Sequence, residues 1–107
     1  MRDSIRIALT VYLPAGRGPF PAVVESLPYR KDDDCFTRDW QTYSYLAEVG
    51  IAGVRIDIRG TGASEGVITD EYTAEEMADA VEILDWVAAQ PWCNGNVGMW
   101  GISWGGF

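Results

Sequence analysis

The sequence predicts an α/β protein with a mostly parallel sheet and flanking helices. The predicted elements follow the order strand, strand, helix, strand, helix, strand along the chain. Such alternation after an initial strand pattern is typical of a parallel sheet whose connections are helices packed on its faces. The strand in the middle of this order, residues 51–58, is rich in β-branched residues and lies between glycines. This composition predicts a buried strand.

The first two predicted strands lie near the start of the chain. Residues 5–13 alternate between apolar and more polar side chains, which predicts a strand with one wetter face. Residues 14–19 are rich in proline and glycine and predict a break, and residues 21–27 then predict a second, shorter strand. We expect a loop over residues 28–37.

Two helices and a last strand complete the predicted order. Apolar residues at helical intervals predict a helix over residues 37–49, which Gly50 ends. Thr73 and Glu76 form a capping box at the start of a longer helix. Its apolar positions 74, 77, 81, 84 and 88 are expected to face the core, and its acidic positions 75, 79, 82 and 85 the solvent. After a turn at residues 94–96, residues 97–102 predict the last strand.

Composition places the chain among globular proteins, and we expect one domain over residues 1–107. The chain is 48% hydrophobic and 22% charged, and its net charge is −8. The negative charge disfavours nucleic acid and anionic membranes as partners, and no apolar run approaches the roughly 18 residues of a spanning helix. Cys35 and Cys93 lack the paired spacing of a disulfide framework or a zinc site. We expect a cytoplasmic protein that needs no metal and no cofactor.

The sharpest motif is the GISWGG sequence of residues 101–106, which matches Gly-x-Ser-x-Gly at the end of a predicted strand. A serine on a tight turn from strand to helix adopts strained backbone angles, and the flanking glycines let chain segments approach closely. The Ser103 hydroxyl would then project from the sheet as a candidate nucleophile. The alternative is a glycine-rich loop with a hydrogen-bonding serine. The sequence contains no histidine, so it lacks the usual general base near neutral pH.

A second glycine-rich segment is DIRGTGASEG, residues 57–66, again at a predicted strand end. Its glycine spacing is one residue longer than the dinucleotide-binding fingerprint, so a nucleotide-binding module is an alternative function. The other interpretation is a loop that needs positive φ at Gly60 and Gly62, with Arg59 paired to a nearby carboxylate.

Two further groups of residues are assigned to ordinary structure. Three consecutive aspartates, residues 32–34, point in diverging directions and predict a solvated loop rather than a metal site. The tryptophans are expected in the core, except Trp104, which directly follows the candidate nucleophile and is placed to face a substrate. The tryptophans expected in the core are Trp40, Trp86, Trp92 and Trp100.

Four motifs in fixed order together resemble one known family. They are MRD at residues 1–3, PYRK at 28–31, DIRGTGASEG at 57–66 and QPWCNGNVGMWGISWGG at 90–106. The chain resembles the amino-terminal part of the Xaa-Pro dipeptidyl-peptidase and cocaine-esterase-like (CocE/NonD) family of serine hydrolases. The last motif is the most specific of the four, because the PWCNG segment that precedes its Gly-x-Ser-x-Gly sequence is a more restrictive pattern than Gly-x-Ser-x-Gly alone.

The resemblance implies an incomplete α/β-hydrolase fold that is cut just after the nucleophile elbow. It implies that Ser103 attacks an ester or amide carbonyl. The backbone N–H of Trp104 and the hydroxyl of Tyr29 would be the two oxyanion donors. The elbow glycines would be Gly101, Gly105 and Gly106, while Asp57 and Arg59 would organise loops.

The resemblance also implies that parts of the catalytic machinery lie outside this chain. In this fold the acid and the histidine follow the nucleophile in chain order, but only four residues follow Ser103. We therefore expect an inactive fragment that needs the remainder of its catalytic domain. The expected substrate of the whole enzyme is a small-molecule ester or a peptide. A non-catalytic fragment that acts by interaction is the remaining alternative.

Overall fold

A four-stranded sheet forms the centre of the chain, as seen in a computed structural model that describes residues 1–106. The sheet has the order β1-β3-β2-β4, in which β1 runs antiparallel to β3 and β2 is parallel to both β3 and β4. This open, mostly parallel sheet confirms the predicted fold class. The strands are β1 (Leu9–Tyr12), β2 (Phe20–Leu27), β3 (Ala52–Asp57) and β4 (Cys93–Met99).

Two helices flank the sheet, α1 (Phe36–Glu48) and α2 (Ala74–Ala88). Successive side chains of a strand point to opposite faces, and β3 shows which helix covers which face. Val54 packs in one apolar core with Ile83 and Val87 of α2. Gly53 lies on the other face, against the Tyr43 ring of α1. No helix among the described residues has the length and apolar character that crossing a membrane requires.

The two ends of the sheet differ in detail from the prediction. β1 is shorter than residues 5–13, because residues 6 and 8 pair instead with the loop that follows β3: Glu65 N–H donates to the Arg6 carbonyl, and Ala8 N–H donates to Ser64 Oγ at 2.8 Å. The predicted turn at residues 94–96 lies inside β4. It forms an irregularity in the ladder, in which residues 20–22 of β2 oppose residues 93–97.

The apolar face predicted for α2 is right at Leu84, which packs against the core, and wrong at Met77 and Val81. Met77 and Val81 are 63% and 57% exposed, whereas Asp79 is buried together with Ile83 and Val87. The physical reason is an ion pair, because Asp79 accepts two hydrogen bonds from the buried Arg59, at 2.7 and 2.8 Å.

Three of the tryptophans expected in the core are exposed as well. Trp40 is 57%, Trp86 45% and Trp100 38% exposed, and only Trp92 packs against the core cluster. The prediction is wrong for these three residues, because apolar character alone does not determine which side chains face the core. Trp40 and Trp86 lie on outward faces of α1 and α2, and Trp100 follows β4, the last strand of the sheet's order.

The face of the sheet under α1 carries a buried polar network that no sequence pattern indicated. Asp39 and Arg55 are fully buried and lie 2.9 Å apart, from Oδ2 to Nε. Glu25 is also buried, accepts two hydrogen bonds from Arg38 at 2.7 and 2.8 Å, and accepts one from the Tyr43 hydroxyl at 2.8 Å. Burial raises the pKa of Asp39, and the two neighbouring guanidinium groups oppose this effect. These charges join α1 to β2 and β3.

Candidate active site

Three of the residues singled out in the sequence lie at one edge of the sheet. Because β2, β3 and β4 are parallel, their carboxyl ends meet there. Tyr29 follows β2, Asp57 is the last residue of β3 and Ser103 follows β4. This is the edge at which open α/β sheets bind ligands, in the crevice beyond the strand ends.

Ser103 occupies a strained and exposed position. It begins the short 3₁₀ turn Ser103–Gly106 and has a φ of 54°. Residues other than glycine rarely adopt this left-handed backbone region. Such backbone strain costs of order 1–3 kcal/mol, and strained residues cluster at functional sites. The position agrees with the sharp turn expected from the GISWGG motif.

The motif glycines permit close backbone contacts around this turn. A Cβ on Gly101 would lie 2.0 Å from the carbonyl oxygen of Gly105, and one on Gly105 would lie 2.8 Å from Cδ2 of Leu27. A Cβ on Gly106 would lie 3.2 Å from the Gly101 carbonyl oxygen, a milder contact. Gly101 and Gly105 therefore allow the Ser103 turn to close on itself and to pack on the end of β2.

Tyr29 reaches the same point from the loop after β2. Its hydroxyl donates to Ser103 Oγ at 3.3 Å, and the side chain is 38% exposed. This distance is longer than the usual range of about 2.5–3.0 Å for O–H···O bonds, and catalytic hydrogen bonds are often long without a bound substrate. The structure thus brings together two residues predicted to act on one carbonyl.

Two buried charged side chains, those of Asp57 and Arg55, form hydrogen bonds with the backbone of the Tyr29 loop. Lys31 N–H donates to Asp57 Oδ1 at 2.9 Å, and Arg55 Nη2 donates to the Tyr29 carbonyl oxygen at 3.4 Å. Asp57 Oδ2 also accepts from Ala63 N–H at 3.1 Å. Asp57 therefore joins the loops after β2 and β3, which agrees with its predicted organising role.

Trp104 lies between α2 and the loop that precedes it. Its indole Nε1–H donates to Glu76 Oε1 at 2.9 Å, and its ring stands 5.1 Å from the ring of Tyr72, centroid to centroid. Partial desolvation raises the pKa of Tyr72, as do the negative charges of Glu71 and Glu76.

Sequence reasoning missed both Glu76 and Tyr72 as members of this region. The sequence indicates Glu76 only as the last residue of a capping box, a pattern that carries no information about a tryptophan 28 residues away. Tyr72 has a φ of 54°, like Ser103, and no sequence signal indicated this.

The glycine-rich segment of residues 57–66 is closed by contacts of its own. Gly60 and Gly62 have φ values of 73° and 51°, as expected, and a Cβ on Gly62 would lie 2.1 Å from the Asp57 carboxylate. Arg59 pairs with Asp79 and also donates to Asp3 Oδ2 at 2.6 Å. Both predictions for this loop are confirmed.

Backbone donors of this loop are already occupied, which argues against a phosphate cradle. Protein oxygens accept hydrogen bonds from the N–H groups of residues 60, 61, 63, 64 and 65. Phosphate-binding loops instead leave such groups free and continue at once into a helix, whereas α2 begins only at Ala74.

The aspartates at residues 32–34 form an exposed loop, as expected. Their carboxylates pair with neighbouring cations: Asp32 with Lys31 at 2.7 Å, and Asp33 and Asp34 with Arg30 at 3.2 and 2.7 Å. Within residues 1–106, no group of three or more cysteine, aspartate or glutamate side chains is placed to hold a metal ion.

Comparisons with known proteins show to which family the chain belongs. Residues 3–107 match the family described as X-Pro dipeptidyl-peptidase (S15 family). The cocaine esterase of Rhodococcus sp. (strain MB1 Bresler) is 41% identical over 105 residues, which is 96% of this chain and 18% of that enzyme. The chain thus spans about a fifth of the length of the curated relatives it matches.

Solved structures share the fold. A CocE/NonD family hydrolase from Staphylococcus aureus superposes with a TM-score of 0.84 and 26% identity, over 98% of this chain and 22% of that one. Est1E from Butyrivibrio proteoclasticus, solved with ferulic acid bound, superposes with a TM-score of 0.76 at 19% identity, over 96% of this chain and 41% of that one. The latter likeness shows the α/β-hydrolase fold alone. With its fold, its motifs and almost its whole length matched, the chain belongs to the X-Pro dipeptidyl-peptidase (S15) family.

Proposed function

We propose that residues 1–107 are the amino-terminal part of the catalytic domain of a serine hydrolase, which cleaves an ester or amide through an acyl-serine intermediate. The observation that carries this proposal is the contact between the Tyr29 hydroxyl and Ser103 Oγ, which joins residues 74 positions apart at the carboxyl edge of the sheet. The positive φ of Ser103 supports the same assignment, because it is the strained conformation expected of a nucleophile on a sharp turn.

The proposed reaction begins with attack of Ser103 Oγ on the substrate carbonyl carbon. The serine proton passes to a general base, and the carbonyl oxygen becomes an oxyanion. The Tyr29 hydroxyl and the Trp104 backbone N–H donate hydrogen bonds to that oxyanion. The alcohol or amine then leaves with a proton, and water hydrolyses the acyl-serine to free acid and Ser103.

The base and its orienting acid are proposed to come from the rest of the whole protein. The chain contains no histidine, and it spans only about a fifth of its curated relatives. Serine hydrolases that lose their triad retain only about 10³- to 10⁴-fold acceleration over water, from the oxyanion hole and binding. We therefore expect residues 1–107 alone to lack normal turnover.

The proposed substrate is a small-molecule ester or a peptide. A relative 41% identical to this chain is named for ester cleavage, and the family is named for a dipeptidyl-peptidase. The net charge of −8 supports neither nucleic acid nor an anionic membrane as a partner. Cys35 and Cys93 lack the paired spacing of a disulfide framework, which agrees with the proposed cytoplasmic location.

The test compares hydrolysis of a p-nitrophenyl ester by the whole hydrolase that contains this segment and by its Ser103→Ala variant. The proposal predicts that the variant loses all turnover above the acceleration left by binding and the oxyanion hole. Equal turnover by the two proteins would contradict it.

A second pair, residues 1–107 with and without Ser103→Ala, tests whether the chain is incomplete. Serine-dependent turnover at ordinary enzyme rates by the chain alone would show that no outside base is needed.

A further inference from the structure

We infer that Glu76 is a positioning residue for the oxyanion hole, because it anchors Trp104 to the first turn of α2. This inference rests on the proposed function, in which the Trp104 backbone N–H is one of the two oxyanion donors. It assigns a role in turnover to a carboxylate that the serine hydrolase mechanism itself does not use.

The two oxygens of Glu76 are engaged by two different segments. Oε1 accepts from Trp104 Nε1–H at 2.9 Å, and Oε2 accepts from Tyr72 N–H at 3.0 Å. The rings of Trp104 and Tyr72 meet at a centroid distance of 5.1 Å and an angle of 33°. Glu76 therefore holds both members of an aromatic pair that adjoins Ser103.

Glu76 is itself fixed to a rigid element. Its backbone N–H donates to Thr73 Oγ1 at 3.1 Å, which caps α2, and α2 packs on the sheet through Ile83 and Val87. Hydrogen bonds that involve an ionised group are about twice as strong as neutral ones. The contact thus fixes Trp104, the residue next to the nucleophile, relative to the packed helix α2.

A carboxylate suits this position better than its amide. Both partners of Glu76 are N–H donors, and an ionised carboxylate offers acceptor oxygens to both. A glutamine has one acceptor oxygen and one NH₂ group, so it can satisfy only one of the two donors. Replacement of Glu76 by glutamine therefore keeps the shape of the side chain and breaks one of its two contacts.

The consequence for catalysis follows from the geometry of the turn. Trp104 carries the oxyanion donor on its backbone and the Glu76 contact on its side chain. Removal of a whole oxyanion donor lowers kcat by about 100- to 1000-fold, so a displaced donor should cost part of that factor. We expect about a ten- to thirtyfold loss of kcat, with KM changed by less than about threefold because the contact acts in the transition state.

The experiment measures kcat and KM for ester hydrolysis by the whole hydrolase carrying Glu76→Gln, Trp104→Phe or both. Trp104→Phe keeps an aromatic ring and the backbone N–H but removes the indole donor. If the two residues act through one bond, each single variant loses about the same factor in kcat and the double variant falls little further. The matched control is Glu48→Gln, because Glu48 is exposed at the end of α1 and its side chain has no hydrogen bond or ion pair within residues 1–106.

The outcomes separate this inference from the proposed function. Turnover that does not depend on Ser103 would overturn both. Serine-dependent turnover that responds to Glu76→Gln no more than to Glu48→Gln would overturn the role of Glu76 alone, as would losses that multiply in the double variant. Circular dichroism checks the folding of each variant. If Glu76→Gln does not fold, unchanged kcat in Trp104→Phe overturns the inference and a tenfold loss with unchanged KM supports it.

Discussion

Gly101→Ala should open the turn that carries Ser103 while leaving the sheet intact. An alanine Cβ at this position would lie 2.0 Å from the carbonyl oxygen and 2.2 Å from the carbonyl carbon of Gly105. Cβ contacts under 3.0 Å are essentially never seen, and both opposing atoms belong to the backbone. One of the two segments must therefore move by roughly 1 Å, which is the order of strain that costs about 1–3 kcal/mol in overpacked sites.

The assay is urea unfolding of residues 1–107, followed by far-ultraviolet circular dichroism. Gly98→Ala is the matched control, because Gly98 lies in β4 just before this turn and a Cβ there has no neighbour within 4 Å. We expect Gly101→Ala to lower the free energy of unfolding by about 1–3 kcal/mol and Gly98→Ala to change it by less than about 0.5 kcal/mol. In the whole hydrolase, a 1 Å displacement of the nucleophile should lower kcat by about 100-fold. Equal effects of the two substitutions would refute the argument that Gly101 is required by close packing.

Two further predictions concern Tyr29, one of the two proposed oxyanion donors, and the ion pair between Asp3 and Arg59. Tyr29→Phe in the whole hydrolase should lower kcat by about 100- to 1000-fold with little change in KM, because it removes one donor to the oxyanion and keeps the ring; an unchanged kcat would remove Tyr29 from the proposed mechanism. The Arg59 hydrogen bond lowers the pKa of Asp3 below its ordinary value of 3.8. A carboxyl group whose pKa is depressed on folding stabilises the protein above its unfolded pKa and loses that contribution as pH falls through the folded pKa. The difference in urea midpoint between wild type and Asp3→Asn should thus be full at neutral pH and vanish in acid, and a difference that grows in acid would contradict this.

The elements whose causes are local could be predicted from the sequence. Gly50 with its φ of 87° ends α1 close to the expected residue, and the Thr73 side chain caps α2 through the N–H of Glu76. Even here one bond differs, because the Glu76 carboxylate returns to Tyr72 N–H rather than to that of Thr73. Local patterns determine where a helix begins, and tertiary contacts determine which groups its side chains bind.

Burial on α2 could not be predicted because it depends on distant charges. The 3.6-residue pattern placed Asp79 in solvent, yet the guanidinium of Arg59 draws it into the interior. Arg55 is likewise fully buried inside a strand that reads as apolar, since Asp39 lies 2.9 Å away. A buried charge is tolerated only with a partner, and a single sequence does not show which residues become partners.

The candidate site was predicted in part. The family motifs indicated Ser103 and Tyr29, and the structure places their hydroxyl groups 3.3 Å apart. Glu76 and Tyr72 were not predicted, because their contacts with Trp104 depend on how the start of α2 meets the turn after β4.

The most direct test of the proposed nucleophile is to identify the atom that becomes acylated. The whole hydrolase is treated with an activated ester whose acyl group is removed slowly, then digested, and the modified peptide is located by mass spectrometry. The account predicts that the acyl group is on Ser103 and that Ser103→Ala prevents labelling. An acyl group on a different residue, with Ser103 unmodified during turnover, would contradict it.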